Sequence, residues 1–287
     1  MYNHVRLYLF LTFLLIPSLT NAQMERKRVV QNADVKNIFP SSEIVGLSTG
    51  QTLSGGDLNY QVMHNFGLVS TGIDEFYGLD QGAVVRLAFN YGLTDRWMIG
   101  IGRTNEEDLV DLSTTLQLFN QKERSGSPFQ VAIHGTASVV TEEIRQFEDE
   151  FDDRLSYIGS LILSRKFGQK LSMMASPVYA HFNTVVINEE NEELQNDFFA
   201  AGFGATYKLS RLATFSAEYL PVFGERNSGT INHFAFSANL DTGGHVFQMY
   251  FMSSRFFTEQ HIIANTTDDF LAGDFRFGFT INRVFSF

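Results

Sequence analysis

The sequence contains no cysteine, which excludes disulfides, thiol chemistry and a lipid anchor attached through a cysteine. Proline is scarce, at five in 287 residues. Beyond the N-terminal region no segment approaches the ~18 continuous apolar residues of a membrane-spanning helix, so a helical membrane protein is excluded. An excess of positive charge is missing too. Lys and Arg total 21 against 32 Asp and Glu, a formal net charge of −11, which argues against nucleic acid as a partner. What is plentiful is Phe (29) and Gly (23), at a mean hydropathy of −0.07. Moderate hydropathy, many aromatics and few prolines together fit a transmembrane β-barrel, in which only one face of each strand is apolar.

The N-terminus reads as a secretory signal peptide over residues 1–22. Arg6 supplies a positive charge, Leu7–Ile16 is an apolar run, Pro17 breaks it, and Asn21-Ala22 offers a small residue for cleavage before Gln23. The apolar run is half the ~20 residues needed to span a bilayer as a helix.

The plainest pattern lies at the other end. From Phe275 to Phe287 the odd positions read Phe, Phe, Phe, Ile, Arg, Phe, Phe, and the even positions Arg, Gly, Thr, Asn, Val, Ser. Period two puts these sets on opposite faces of one strand. A final strand ending on an aromatic resembles the signature that barrel-assembly machinery recognises in outer-membrane barrels, so Phe285 and Phe287 are candidate membrane-assembly signals. The same alternation recurs upstream, as in Leu58, Tyr60, Val62, His64 and Phe66 against Asp57, Asn59, Gln61, Met63 and Asn65. Strands are expected near 57–66, 85–91, 97–102, 110–118, 130–139, 154–167, 171–183, 197–208, 212–222, 232–241, 245–254 and 273–287. That is about twelve, and bacterial barrels take an even number.

Tight turns at Leu93–Asp95, Gly168–Lys170, Leu209–Arg211 and Thr242–Gly244 alternate with longer polar stretches, including 141–153, 184–196 and 255–272. The architecture predicted is an all-β, antiparallel up-and-down barrel over residues 55–287, with short periplasmic turns and long outer loops. Residues 23–54 do not alternate. They read as a periplasmic N-terminal segment able to fold against or into the barrel mouth, with an extra strand around Glu43–Leu47 as an alternative.

These segments carry a family resemblance. Phe76-Tyr77-Gly78-Leu79-Asp80, Tyr91-Gly92-Leu93-Thr94-Asp95-Arg96, Gly100-Ile101-Gly102-Arg103, Thr242-Gly243-Gly244-His245-Val246-Phe247-Gln248 and the end around Phe277-Gly278-Phe279 and Arg283-Val284-Phe285 resemble an uncharacterised family of bacterial outer-membrane β-barrel proteins classed as a domain of unknown function. The resemblance runs from about Phe39 to the C-terminus. It implies a barrel in the outer membrane of a Gram-negative bacterium and supplies no substrate or catalytic residues.

Reactive chemistry is sparse. Acidic runs at 141–153 and Glu189–Glu193 lack the ligand spacing of a calcium loop and read as solvated loops. No histidine pair has metal-ligand spacing. His233 and Ser237 share a strand face but stand ~13 Å apart, too far for a nucleophile and its base. No cofactor, metal or catalytic residue is assigned.

The lumen holds the candidate functional residues. Asp57, Arg86, Asp111, His134, Glu218, His233, Asp274 and Arg276 are expected to line it, with Asp57 and Arg276 pairing across the closing seam. Ile158, Ile162, Val178, Phe182, Phe198 and Leu220 also face inward, as an apolar patch that either fills part of the barrel or receives an amphipathic solute. Twelve strands ~4.8 Å apart and tilted ~40° give a backbone radius of ~12 Å, about half of it taken by side chains. The expected function is a narrow passive channel or transporter for small solutes, weakly preferring cations, or silent if the N-terminal segment enters the barrel. A structural or surface-binding barrel is the alternative, and a lipid-acting outer-membrane enzyme the third reading. Expected partners are outer-membrane lipid and lipopolysaccharide, the barrel-assembly machinery and a small solute.

Overall fold

The computed structural model describes residues 32–142, 150–185 and 194–287. The segment predicted as a signal peptide, the start of the N-terminal segment, most of the first acidic run and the whole of the second lie outside the described residues. Residues 33–287 form one compact unit.

Alternation in sequence becomes two faces in space. In β2 (Val84–Thr94), Leu87, Phe89 and Tyr91 are exposed, while Arg86, Ala88 and Asn90 between them are buried. The other strands repeat this around the chain. They are β1 (Asp57–Leu68), β3 (Trp97–Thr104), β4 (Leu109–Phe119), β5 (Gln130–Val140), β6 (Leu155–Phe167), β7 (Leu171–Phe182), β8 (Asp197–Lys208), β9 (Ala213–Leu220), β10 (Val222–Phe223), β11 (His233–Asp241), β12 (His245–Met252) and β13 (Arg276–Ser286). Each pairs antiparallel with its chain neighbours, and β1 pairs with β13 to close the sheet. β9 and β10 are one stave. Both pair with β8 in a single register, Tyr219 opposite Phe203 and Val222 opposite Ala200, interrupted at Pro221, which has no N–H to give the ladder. The result is a closed antiparallel barrel of twelve staves. Among the described residues no helix is long and apolar enough to cross a membrane.

The exposed face is an apolar belt that includes Leu87, Phe89, Ile99, Ile101, Leu112, Leu161, Phe199 and Phe203. Turns of a few residues join strands at one end of the barrel, here the short-turn end. Trp97, Tyr91 and Phe285 lie toward that end on the lipid side, and Phe287 is almost fully exposed just beyond β13. Arg283, which interrupts the apolar face of β13, reaches the His245 ring (3.0 Å) and lies over Phe285, so its charge sits at the rim.

Two sequence expectations change. Asp57 sits opposite Ser286 and Leu68 opposite Arg276, so Asp57 and Arg276 lie at opposite ends of the seam and do not pair. Arg276 bonds Asp268 instead, at 2.9 Å. The stretch 255–272, read as an outer loop, turns inward and carries a short helix, α1 (Glu259–Asn265), of which six residues are buried. Glu259, Gln260 and His261 looked like a solvated loop; inside the barrel each finds a partner.

Candidate functional site: a two-part septum in the lumen

Residues 42–49 form a turn rather than a strand. Thr49 N–H donates to Ser42 O (2.9 Å), Glu43 and Ser48 bridge, and Ile44 N–H donates to Leu47 O (2.9 Å). Val45-Gly46 is the tip, and it points its backbone N–H groups at Glu218 on the lumen face of β9. The Glu218 carboxylate accepts from Val45 N (2.9 Å), Gly46 N (2.9 Å) and Leu47 N (3.2 Å). The His233 ring lies 3.0 Å from its Oε1. A buried carboxylate is costly unless several donors meet it, and here four do. The reciprocal statement also holds, since three consecutive backbone donors would be stranded without it.

More bonds fix the segment to the wall. Gln248 donates to Ile44 O, Gln117 to Gly50 O (3.0 Å), Ser164 to Thr49 O (3.2 Å), Ser172 to Ile38 O (2.5 Å) and Lys166 to Asn37 O (2.8 Å). Apolar packing completes the seat. Ile38, Phe39, Ile44 and Leu47 pack into one buried cluster with Ile158, Ile162, Val178, Phe198 and Leu220 of the wall. Two glycines on β8 make room. A Cβ on Gly204 would fall 2.3 Å from Ile44 Cδ1, and one on Gly202 would fall 2.6 Å from Leu47 Cδ1.

α1 meets the tip from the other side. Ser48 N–H donates to Glu259 Oε1 (2.7 Å), and Gln260 donates to Ser138 Oγ on β5 (2.6 Å). Asn65 on β1 holds Ser254 O (2.8 Å), and Asn227 holds Ala264 O (3.0 Å). The two parts touch closely at Gly46, where a Cβ would lie 2.5 Å from Ile262 Cδ1. Burial pushes the Glu259 carboxyl up to about 7 against the pull of Ser48, and burial holds the His261 imidazole down at about 4.

The predicted lumen residues divide into three groups. Arg86 and Asp111 form a buried double-bonded ion pair that cancels both charges. His134 is half-buried and bonded to Thr115 (2.9 Å), Thr136 (3.1 Å) and Ser48 (3.2 Å). Glu218 and His233 grip the septum. Asp57 lies at the short-turn mouth, and Asp274 and Arg276 near the opposite rim, so these three are not part of the septum. The apolar patch is buried, with Phe182 partly so, and most of it is covered by residues 38–47 and by Phe256, Phe257, Ile262 and Ile263. Sequence reasoning missed Gln248, Glu259 and the tip itself. The usable signal was Ile44-Val45-Gly46-Leu47, an apolar run in a segment that otherwise does not alternate.

Ser253, His233 and Glu218 form a relay, with Ser253 Oγ 3.1 Å from His233 Nδ1. Ser253 is fully buried and its Oγ accepts from Phe234 N–H (3.0 Å), so the relay ties β11 to the loop and offers no accessible nucleophile.

A cavity lies on each side of the septum. At the short-turn end a space of about 480 Å³ is lined by Lys36, Lys166, Lys170, Lys208 and Arg211 against Asp57 and Asp241. At the long-loop end a cup of about 290 Å³ is lined by Val140, Leu155, Phe182, Ala264 and His261, with Glu107, Glu142, Asp153 and Arg154 around it. Partial burial, then Glu106 beside it, push Glu107 up to about 7.

This architecture has known counterparts. The family model described as a membrane-bound beta barrel domain, DUF5777, matches residues 39–285. The chain belongs to that family. Its match takes in the septum segment from Phe39 and all strands except the last residue of β13. No curated protein sequence matches the chain. Among solved structures it is similar to the NanC porin (TM-score 0.51, 10% identity, 79% of this chain and 98% of that one). It is also similar to the COG4313 outer membrane channel from Pseudomonas putida F1 (TM-score 0.51, 12% identity, 82% of this chain and 97% of that one). At such identities the likeness is one of fold, and the fold is that of an outer-membrane β-barrel.

Proposed function

We propose that this barrel is an outer-membrane channel for small solutes whose path is closed, in the conformation described, by two of its own segments. The observation that carries this reading is the construction of the barrier. A polar cavity enters the lumen from the short-turn end and an apolar-floored, acidic-rimmed cup from the other, and what separates them is residues 44–50 and 256–264, held to the wall by hydrogen bonds and packing. A barrel that only needed filling could do so with wall side chains. The neighbouring folds are a porin and a channel, which supports the same direction.

Conduction is passive in this reading, since the septum segment is far smaller than the plug domains of energy-coupled transporters. Selectivity changes from the sequence-based expectation. The cation preference summed Asp57, Asp111 and Asp274 against Arg86 and Arg276; Asp111 is paired with Arg86, Arg276 with Asp268, and Asp57 shares its mouth with five cations. With the septum released, the basic short-turn mouth favours anions.

Planar-bilayer recording of the mature chain, with and without residues 23–54, is the test. The intact chain should be silent or nearly so, and the truncated chain should conduct. Large conductance from the intact chain would contradict a closed lumen. Silence from the truncated chain, and from one that also lacks 256–264, would leave the sealed barrel as a structural or surface-binding protein, the second reading that the filled lumen favours. Docking of outer-membrane lipopolysaccharide and recognition of Phe285 and Phe287 by assembly machinery belong equally to both readings.

A further inference from the structure

We propose that the cup at the long-loop end is a binding site for a small amphipathic cation, an apolar body carrying an ammonium or guanidinium group. This goes beyond conduction and does not depend on the channel reading, since the cup is complete in the closed conformation. The cup has a volume of about 290 Å³, close to that of small-molecule sites. Its floor is apolar, made by Val140 and Leu155 of the wall, Phe182 and the Ala264 methyl of α1. Among the described residues, Glu107, Glu142 and Asp153 converge on it against one cation, Arg154. An acidic rim alone would be a solvated loop. Two further observations separate this one from that.

The first is Ser156. Its side chain is 3% exposed and lines the cup, and its Oγ has no hydrogen-bond partner among the described residues. A buried hydroxyl without a partner costs free energy, and a ligand N–H can supply what is missing. The second is the Phe182 ring, which meets the His261 ring edge-to-face at 5.3 Å and lines the same cup. An aromatic beside carboxylates suits a cation with an apolar body on both counts, through ring quadrupole and through charge. An anion of the same shape meets three carboxylates in a partly desolvated cup and is rejected. Because α1 supplies His261, Ala264 and Asn265, an occupant also holds that half of the septum in place.

The test uses the full mature chain in phosphatidylcholine vesicles, titrated calorimetrically with 2-phenylethylammonium, phenylacetate and 2-phenylethanol, with protein-free vesicles as the baseline. Saturable binding of one 2-phenylethylammonium per chain is expected, with the alcohol weaker and phenylacetate at baseline. Glu107→Gln combined with Glu142→Gln should weaken the ammonium probe by about tenfold at low salt and leave the alcohol unchanged. Ser156→Ala should weaken it severalfold, and Ala264→Phe, which fills the cup, should abolish binding of both. Heat-modifiable gel mobility verifies that each variant remains a folded barrel. Uptake of the ammonium equal to protein-free vesicles, equal binding of phenylacetate or of the alcohol, or binding indifferent to the charge-neutralised pair would each overturn the proposal. The charge-neutralised pair lies on the rim, so it remains informative even if Ala264→Phe displaces α1.

Discussion

The two ends of the lumen differ as much as two proteins might. At the short-turn end, five cations face two carboxylates over a floor of amides and hydroxyls. At the long-loop end, three carboxylates face one arginine over an apolar floor. One septum separates them, and the charges at its seat are met locally: Glu218 of the wall by backbone donors and His233, Glu43 by Gln61, and Glu259 by Ser48. The contrast teaches that charge in this lumen is sorted along the barrel axis. A net lumen charge, summed from sequence, averages two opposite fields into one uninformative number.

The largest effect on this arrangement should come from Glu218→Gln. The amide offers one acceptor oxygen to three backbone donors, and each stranded donor costs about 1–3 kcal/mol. The tip should leave its seat, joining the two ends, with conductance in bilayers rising by orders of magnitude over the wild-type chain. A silent variant with an intact barrel would show that the apolar seat alone holds the septum. Next is Gly46→Val. Its side chain enters the space of Ile262 Cδ1, and overpacking of this kind costs about 1–3 kcal/mol. Trypsin or a spin label should report the tip and α1 moving apart, while Gly46→Ala, which asks only the flexible Ile262 end to shift, should be milder.

Reversing the short-turn end sharpens the comparison itself. In the chain lacking residues 23–54, Lys166→Glu with Lys208→Glu should move the reversal potential from anion to cation preference by a few-fold in permeability ratio, more at low salt. No movement would place the selective step at the other mouth.

The smallest effect is on pH. Docked Glu259 titrates at about 7, above the ordinary 4.5, so its contribution to docking is full below 4.5 and is lost as pH rises through 7. Docked His261 titrates at about 4, below the ordinary 6.5, so its contribution is full above 6.5 and is lost as pH falls through 4. Between 4.5 and 6.5 the two oppose each other. Septum docking should therefore tighten by about twofold from pH 8 to 6.5, the roughly fourfold gain from Glu259 being halved by His261, and then level off. Open probability measured across that range checks it, and Glu259→Gln should flatten the alkaline limb.

How much of this was legible in the sequence follows from which interactions were local. Leu87, Phe89 and Tyr91 against Arg86, Ala88 and Asn90 report their faces within a few residues, so the strands and their lipid side could be read directly. The inward patch from Ile158 to Leu220 was readable too, as apolar side chains where water was expected. What covers that patch was not, because Glu218 meets Val45 across a separation of 173 residues. Periodicity carries no information at that range. α1 was hidden for a different reason. Its polar residues mimic a solvated loop, and only the partners Ser48, Ser138 and Thr258 show that they are buried and bonded inside the barrel. Asp57 and Arg276 failed as a pair because adjacency of the end strands does not set their register.

The position of the tip also constrains how the molecule can be built. Residues 42–49 precede β1 by a few residues, and β1 is closed against β13, the last strand made. The Val45–Glu218 contact closes a loop of most of the chain, so it forms late and slowly. A finished barrel would have to admit the tip through the short-turn mouth, past Lys36 and its neighbours. A nascent sheet needs only to curl around it. If the wall curls around the tip before that seam zips shut, no passage through the mouth is needed, and Gly202 and Gly204 are the notches in which the tip comes to rest.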